Sequence, residues 1–246
     1  MRRPLTHLAG RVWLYPHDED PANVQGSVAI IADDAGSVLV DSGNGPAAAR
    51  RVMAAIADAG LPDPRRLVYT HHHWDHVWGA CAWPDVEIIG HVAGARILAD
   101  EARRPWSHDY LREQVAANPR LGPSFEARRR AMESWRDFVV LPPHTEFVDT
   151  LSLPGGIEVR HVGGGHAEDS TVVAVPDSGV LLLGDCFYPP PLHLRGPDDG
   201  YDVGLLRTLL DEKRSGRFDW YVDSHGEPSS AAAARALLAA ADGGAG

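Results

Sequence analysis

A short apolar run, Leu67-Val68-Tyr69-Thr70, leads straight into His71-His72-His73-Trp74-Asp75-His76, and no other feature of the chain restricts its fold as much. Four candidate metal ligands, His71, His73, Asp75 and His76, fall within six residues. Where a strand continues in extended form its side chains alternate, so His71 and His73 project to one side and His72 to the other. Asp75 and His76 lie where the chain turns toward a helix, and their divergent side chains could serve a second ion or orient a water. A solvated polar loop is the competing reading; it accounts for a lone histidine better than for this packed set.

Three later segments have a related design. Val162-Gly163-Gly164-Gly165-His166, Leu181-Leu182-Leu183-Gly184-Asp185 and Tyr221-Val222-Asp223-Ser224-His225 each carry an apolar run to a His or Asp beside glycine. Taken singly, Asp185 could be a turn residue, His225 a cap and His166 a loop histidine. Taken with the first cluster, they describe strand ends converging on one site, where the backbone turns tightly or approaches closely.

The rest of the chain reads as a scaffold for such convergence. Segments 11–15, 27–33 and 37–41 have strand character, the last two joined by the turn Asp34-Ala35-Gly36. Pro46 opens an alanine-rich helix that Gly60-Leu61-Pro62 stops. Residues 86–89 read as a strand, and residues 91–136 as a helical insertion rich in arginine and aromatics. Strands follow at 145–149, 151–153, 157–162, 171–175, 180–183 and 220–223, with helices over 203–214 and 230–241. Gly243-Gly244-Ala245-Gly246 is expected to fray. Strand-rich halves bordered by helices predict an α/β (α+β) fold of sheets packed face to face with helices outside. One domain over 1–246 is expected, because no linker interrupts the pattern.

Composition narrows the function classes. The 246 residues are 44% hydrophobic, enough for a sizeable core. A net charge of −11 disfavours nucleic acid and anionic membrane as partners. Two cysteines, Cys81 and Cys186, do not make a disulfide scaffold. The Met1-Arg2-Arg3-Pro4-Leu5 start lacks an apolar leader of about 7–15 residues, and no run approaches the length of about 18 that spans a bilayer. A soluble, cytoplasmic protein is therefore expected, and its oligomeric state is left open between monomer and homo-oligomer. The 13 histidines stand out in such a chain.

His71-x-His73-x-Asp75-His76, followed by His166, Asp185 and His225, resembles the ligand series of the metallo-β-lactamase-fold superfamily, and Val40-Asp41-Ser42-Gly43 resembles that family's Asp-x-Gly element. The resemblance, which extends to glyoxalase II-like and lactonase-like hydrolases, implies an αββα sandwich of two mixed sheets with metals at one edge. It implies that His71, His73 and His166 hold a first metal, that Asp75, His76 and His225 hold a second, and that Asp185 bridges them. Asp41 would orient a ligand loop without touching metal.

Imidazole and carboxylate ligands suit Zn²⁺, and three protein ligands plus water leave the open position that catalysis needs. Two zinc ions per chain, about 3.5–4 Å apart, would share a hydroxide able to attack an acyl carbonyl at neutral pH. Asp75 would hold that nucleophile and pass a proton to the leaving group. The expected activity is hydrolysis of a small ester, lactone or thioester, the partner being a small-molecule acyl substrate. The alternative is a mononuclear iron oxidoreductase on the same fold, resembling persulfide dioxygenases.

Departures from the family refine this. Asp185 stands where some β-lactam-cleaving members have cysteine, and Cys186 is one residue off, which disfavours antibiotic hydrolysis. The short stretch after His225 disfavours a glutathione thioester. Tyr188 resembles in position the tyrosine that polarises the carbonyl in lactone-cleaving members; a packed loop aromatic is the other reading. Trp74 and Trp78 could line the mouth or join the core, and the arginines of the insertion could meet an anionic tail or form a solvated helix face. His108, His144, His161 and His193 have no motif context.

Overall fold

Uninterrupted apolar runs dictate the middle of the molecule. Val172-Val173-Ala174-Val175 and Val180-Leu181-Leu182-Leu183 have no polar face, the pattern of strands covered on both sides. The computed structural model describes residues 3–243, so the expected fraying of Gly244-Ala245-Gly246 lies outside the described residues. Within them the strands are β1 (Thr6–Ala9), β2 (Val12–Tyr15), β3 (Val28–Ile31), β4 (Ser37–Val40), β5 (Pro64–Val68), β6 (Glu87–His91) and β7 (Thr145–Phe147), then β8 (Thr150–Leu153), β9 (Ile157–His161), β10 (Thr171–Val175), β11 (Val180–Gly184), β12 (Trp220–Asp223) and β13 (Ser229–Ser230). The α-helices are α1 (Pro46–Asp58), α2 (Trp74–Val77), α3 (Val92–Glu101), α4 (His108–Ala117), α5 (Gly122–Ala131), α6 (Val203–Leu210), α7 (Glu212–Ser215) and α8 (Ala231–Gly243).

Strands β1 to β7 form a seven-stranded sheet in sequence order, and β13-β12-β11-β10-β9-β8 form a six-stranded one. Both are mixed: β4, β5, β6 and β7 pair in parallel, as do β11 and β12, while the remaining neighbours are antiparallel. Period-two alternation assigns each side chain to a layer. Val173, Val175, Val180 and Leu182 pack between the sheets with Val12, Ile31, Val40 and Val68. Val172, Ala174, Leu181 and Leu183 point the other way, under Leu209 and Leu210 of α6 and its end and Ala234 of α8. Ile30, Leu39, Leu67 and Ile88 face α1 across Val52 and Ile56. The layers therefore run helix, sheet, sheet, helix.

Four elements differ from the sequence expectation. Strand β1 is the edge of its sheet, and its Thr-His-Leu-Ala carries no alternation of its own; pairing with β2 makes it a strand. The helix expected over 203–214 breaks at Asp211, whose carboxylate accepts the Lys213 backbone N–H and starts α7 anew. The two-residue β13 exists only through its register with Trp220 and Tyr221. Over the expected helical segment 91–136, His91 still belongs to β6 and helix ends at Ala131.

Candidate metal centre

The parallel strands aim their C-terminal ends at one edge of the sandwich. β4 ends before Asp41, β5 before Thr70 and His71, β11 before Asp185, and β12 before His225. The sheets meet there: the Thr171 backbone N–H donates to the Thr70 carbonyl at 2.8 Å. Gly184, with φ of +57°, lies so close that a Cβ on it would stand 2.7 Å from Thr70 Cβ, so glycine is what lets β11 deliver Asp185 beside the histidine loop. The single turn α2 then swings Asp75 and His76 inward, both buried.

Two clusters result. In the first, His71 Nε2, His73 Nδ1 and His166 Nε2 form a triangle with edges of 2.9, 3.0 and 3.2 Å. In the second, His76 Nε2 and His225 Nε2 each lie 3.2 Å from Asp75 Oδ2. Asp185 Oδ2 stands between the clusters, 3.3 Å from His225 Nε2, 3.5 Å from His76 Nε2 and 3.6 Å from His166 Nε2. All seven residues that the ligand series names are thus brought together, in groups of three and four.

The hydrogen-bond network decides which ring nitrogens carry protons. His166 Nδ1 lies 3.0 Å from the Pro189 carbonyl, which can only accept, so the proton sits on Nδ1. Asp41 takes three donors: Thr70 N–H at 2.8 Å, the Thr70 hydroxyl at 2.9 Å and His76 Nδ1–H at 2.7 Å. With its hydrogen given to Asp41, Thr70 Oγ1 accepts from His71 Nδ1 at 3.1 Å. His71 and His166 therefore turn bare Nε2 lone pairs into the site, and His76, with its Nδ1–H given to Asp41, aims Nε2 there as well. Asp41 makes these contacts from a left-handed backbone, φ +64°, and is 3% exposed.

This arrangement fits a cation. Two bare nitrogens 3.2 Å apart, His71 Nε2 and His166 Nε2, repel unless something positive lies between them. The edges of the triangle approach the separation of about 3.3 Å that follows from tetrahedral Zn–N bonds of about 2.0 Å. His76 Nε2 and Asp185 Oδ1 are buried with no hydrogen-bond partner, as metal-facing atoms are.

The clusters differ electrostatically. Burial and the facing imidazoles hold His71 and His73 well below the usual histidine range, and burial also lowers His166. Burial opposes charge on His76 and His225 too, but carboxylates win: Asp41, Asp75 and Asp185 raise His76, and Asp185 and Asp75 raise His225 to about 10. Burial alone would raise Asp75 and Asp185, yet His76 and His225 hold both well below the ordinary carboxylate range. Without metal, the first cluster is neutral imidazole and the second is imidazolium paired with carboxylate, so a cation entering the second must displace protons.

Above the clusters opens a cavity of about 490 Å³. Its floor contains His73, Asp75, His166, Asp185 and His225, while His71 and His76 lie beneath. Trp74 lines the wall, whereas Trp78 is fully buried in the core. The Tyr188 ring lies beside the candidate ligands, 6.3 Å from His166 and 6.2 Å from His225, but its hydroxyl donates to Asp223 Oδ1 at 2.7 Å and the residue does not line this cavity. Burial and the Asp223 carboxylate push its phenol up. Cys186 packs among Val172, Leu183 and Leu209 under the outer helices, away from the ligands. Sequence reasoning missed His193 and did not separate Arg128 from its neighbours, although both line the cavity; His193 has no motif, and Arg128 sits in a run of three arginines.

A family model described as the metallo-beta-lactamase superfamily matches residues 22–225. A hydroxyacylglutathione hydrolase of Xanthomonas euvesicatoria is 41% identical over 76 residues, 29% of this chain and 28% of that protein. A linear primary-alkylsulfatase of a Pseudomonas species is 25% identical over 221 residues, 79% of this chain and 40% of that protein. The chain thus spans less than half the length of these curated relatives. The crystal structure of a metallo-β-lactamase from Hirschia baltica superposes with a TM-score of 0.64 at 20% identity, covering 96% of this chain and 97% of that one. One from Erythrobacter litoralis gives 0.63 at 16% identity, covering 97% and 95%. These structures share the fold.

Proposed function

The chain belongs to the metallo-β-lactamase superfamily of metal-dependent hydrolases, and from that premise we propose that it is a dinuclear zinc enzyme hydrolysing a small ester, lactone or thioester. His71, His73 and His166 would hold one ion and Asp75, His76 and His225 the other, with Asp185 shared between the two sets. One observation carries this reading: a single oxygen, Asp185 Oδ2, lies within 3.6 Å of imidazole nitrogens from both clusters. The relatives named hydroxyacylglutathione hydrolase favour an acyl substrate.

Bound there, a pair of zinc ions supplies Lewis acidity and a water that ionises near neutral pH. The chain supplies the rest. Asp41 holds the Nδ1–H of His76 directly and that of His71 through the Thr70 hydroxyl, so that Nε2 is the atom each neutral ring would offer to a metal. Asp75, whose carboxylate lies on the cavity floor, would accept the proton of the attacking water at a carboxylate oxygen and pass it to the leaving group. Tyr188 positions Asp223, which in turn accepts the His225 backbone N–H at 3.0 Å.

The test is turnover of a panel of aryl esters, lactones and thioesters by Asp75→Ala and His166→Ala. Both variants should lose activity while keeping the wild-type circular dichroism. Retained turnover in both contradicts the reading.

A further inference from the structure

Helix α5 brings into the cavity a cation that the ligand set does not use. Arg128 is 8% exposed and forms part of the cavity wall. Its guanidinium carbon lies 4.6 Å from the centre of the Phe125 ring, 5.2 Å from Trp74 and 5.4 Å from Trp78. Among the described residues it forms no ion pair; Nη1 donates to Ser124 Oγ at 2.6 Å, and Nε is buried without an acceptor. Its neighbours behave otherwise, since Arg129 and Arg130 both bind the Glu126 carboxylate on the solvated face.

A buried charge without a counter-ion is costly, and ring faces offset only part of that cost. Glu101 and Asp75 act on Arg128 from beyond contact, but Glu101 pairs with Arg104, and Asp75 with His76 and His225. A second orphan lies on the same wall: His193 Nδ1 is buried without a partner. Arg120, from the same helical segment, fixes the His193 loop by donating to the Leu192 and Arg195 carbonyls. Two unsatisfied polar groups thus border a cavity whose remaining wall includes the apolar Val24, Pro191 and Leu192.

We propose that Arg128 is a specificity residue that binds a free carboxylate of the substrate, so that the ester cleaved is one with an apolar body and a second, ionised acid group. The planar guanidinium suits a carboxylate, and bringing one in supplies the counter-ion that the fold withholds. The inference rests on the hydrolase reading above for the bond that is cut, but the anchor itself is a matter of binding.

Two substrates test it in the metal-loaded full chain: the aryl half-ester of adipic acid and the corresponding aryl ester of adipamic acid, which differ only in charge at the far end. The wild type should prefer the acid by about tenfold or more in kcat/KM, the effect of one charge-assisted hydrogen bond. Arg128→Met should bring that ratio close to one, chiefly through KM. No preference in the wild type, or an undiminished preference in the variant, overturns the anchor. If Arg128→Met fails to fold, the wild-type ratio alone decides. If the wild type cleaves neither ester, the hydrolase reading fails instead, and calorimetry with adipate and adipamate judges the anchor separately. Each has one carboxylate for the ions; tighter binding of adipate by the wild type supports the anchor, and equal affinity refutes it.

Discussion

Replacing Asp41 with asparagine tests how one carboxylate, touching no metal, governs the candidate ligands. The backbone tolerates the change, because asparagine adopts the left-handed conformation that Asp41 has at φ +64°. If the amide oxygen keeps the Thr70 N–H, the amide NH₂ takes the place of Oδ2, which accepts the Thr70 hydroxyl at 2.9 Å and His76 Nδ1 at 2.7 Å. Donor then faces donor. His76 can satisfy the NH₂ only by moving its proton to Nε2, the atom aimed into the second cluster. Thr70 can accept from the NH₂ only by turning its hydrogen elsewhere, and a turn toward His71 Nδ1 drives that ring's proton into the first cluster. The loss is one charge-assisted bond, about 1.5–3 kcal/mol, and metal affinity should fall about 10–100-fold. Competition with a chromophoric chelator at pH 8 reads this out. The gap should narrow at pH 6, because Asp41 is also the carboxylate that most raises His76 and so favours its competing proton. Wild-type affinity in Asp41→Asn at pH 8 would refute the tautomer argument.

Metal and pH are linked in the same way. The raised His76 and His225 stabilise the metal-free protein fully below their ordinary value of 6.5, and this is lost as pH climbs, toward about 10 for His225. Metal binding needs both rings deprotonated, so the rise in Tm on adding zinc should grow from pH 6 to pH 9; a rise that shrinks with pH contradicts the assignment. Gly184→Ala should destabilise the fold, through left-handed strain of about 1–2 kcal/mol and overpacking against Thr70 of about 1–3 kcal/mol; urea titration measures it, and unchanged stability would show that the sheets separate at no cost. Tyr188→Phe removes the donor to Asp223 and should cost about 1 kcal/mol of stability with a less than tenfold change in kcat. A hundredfold drop would mean that the hydroxyl turns to the substrate.

What the sequence reveals of this molecule is what local pattern can encode. The doubly apolar β10 and β11 are legible because burial on both faces leaves no polar residue between Val172 and Val175 or between Val180 and Leu183. The candidate ligands are legible because each follows a strand and sits beside glycine or another ligand. Contacts across long separations are not legible. Nothing local distinguishes Arg128 from Arg129 and Arg130; packing on Trp74 and Trp78, some fifty residues earlier, buries the first and leaves the others in solvent. The partner that turns the Tyr188 hydroxyl from the cavity is 35 residues away. Trp74 and Trp78 lie one turn apart on the same helix face with their rings 5.4 Å apart, yet only the former reaches the cavity, because Trp106, Trp135 and Phe138 from distant segments cover Trp78.

The most direct test of the two-cluster account is metal content by elemental analysis, on tag-free protein purified without chelators, for the wild type and His166→Ala. About two zinc ions per chain in the wild type, falling to about one when the three-histidine cluster loses His166, is the expected result. A single iron per chain, or two ions retained in His166→Ala, would contradict it.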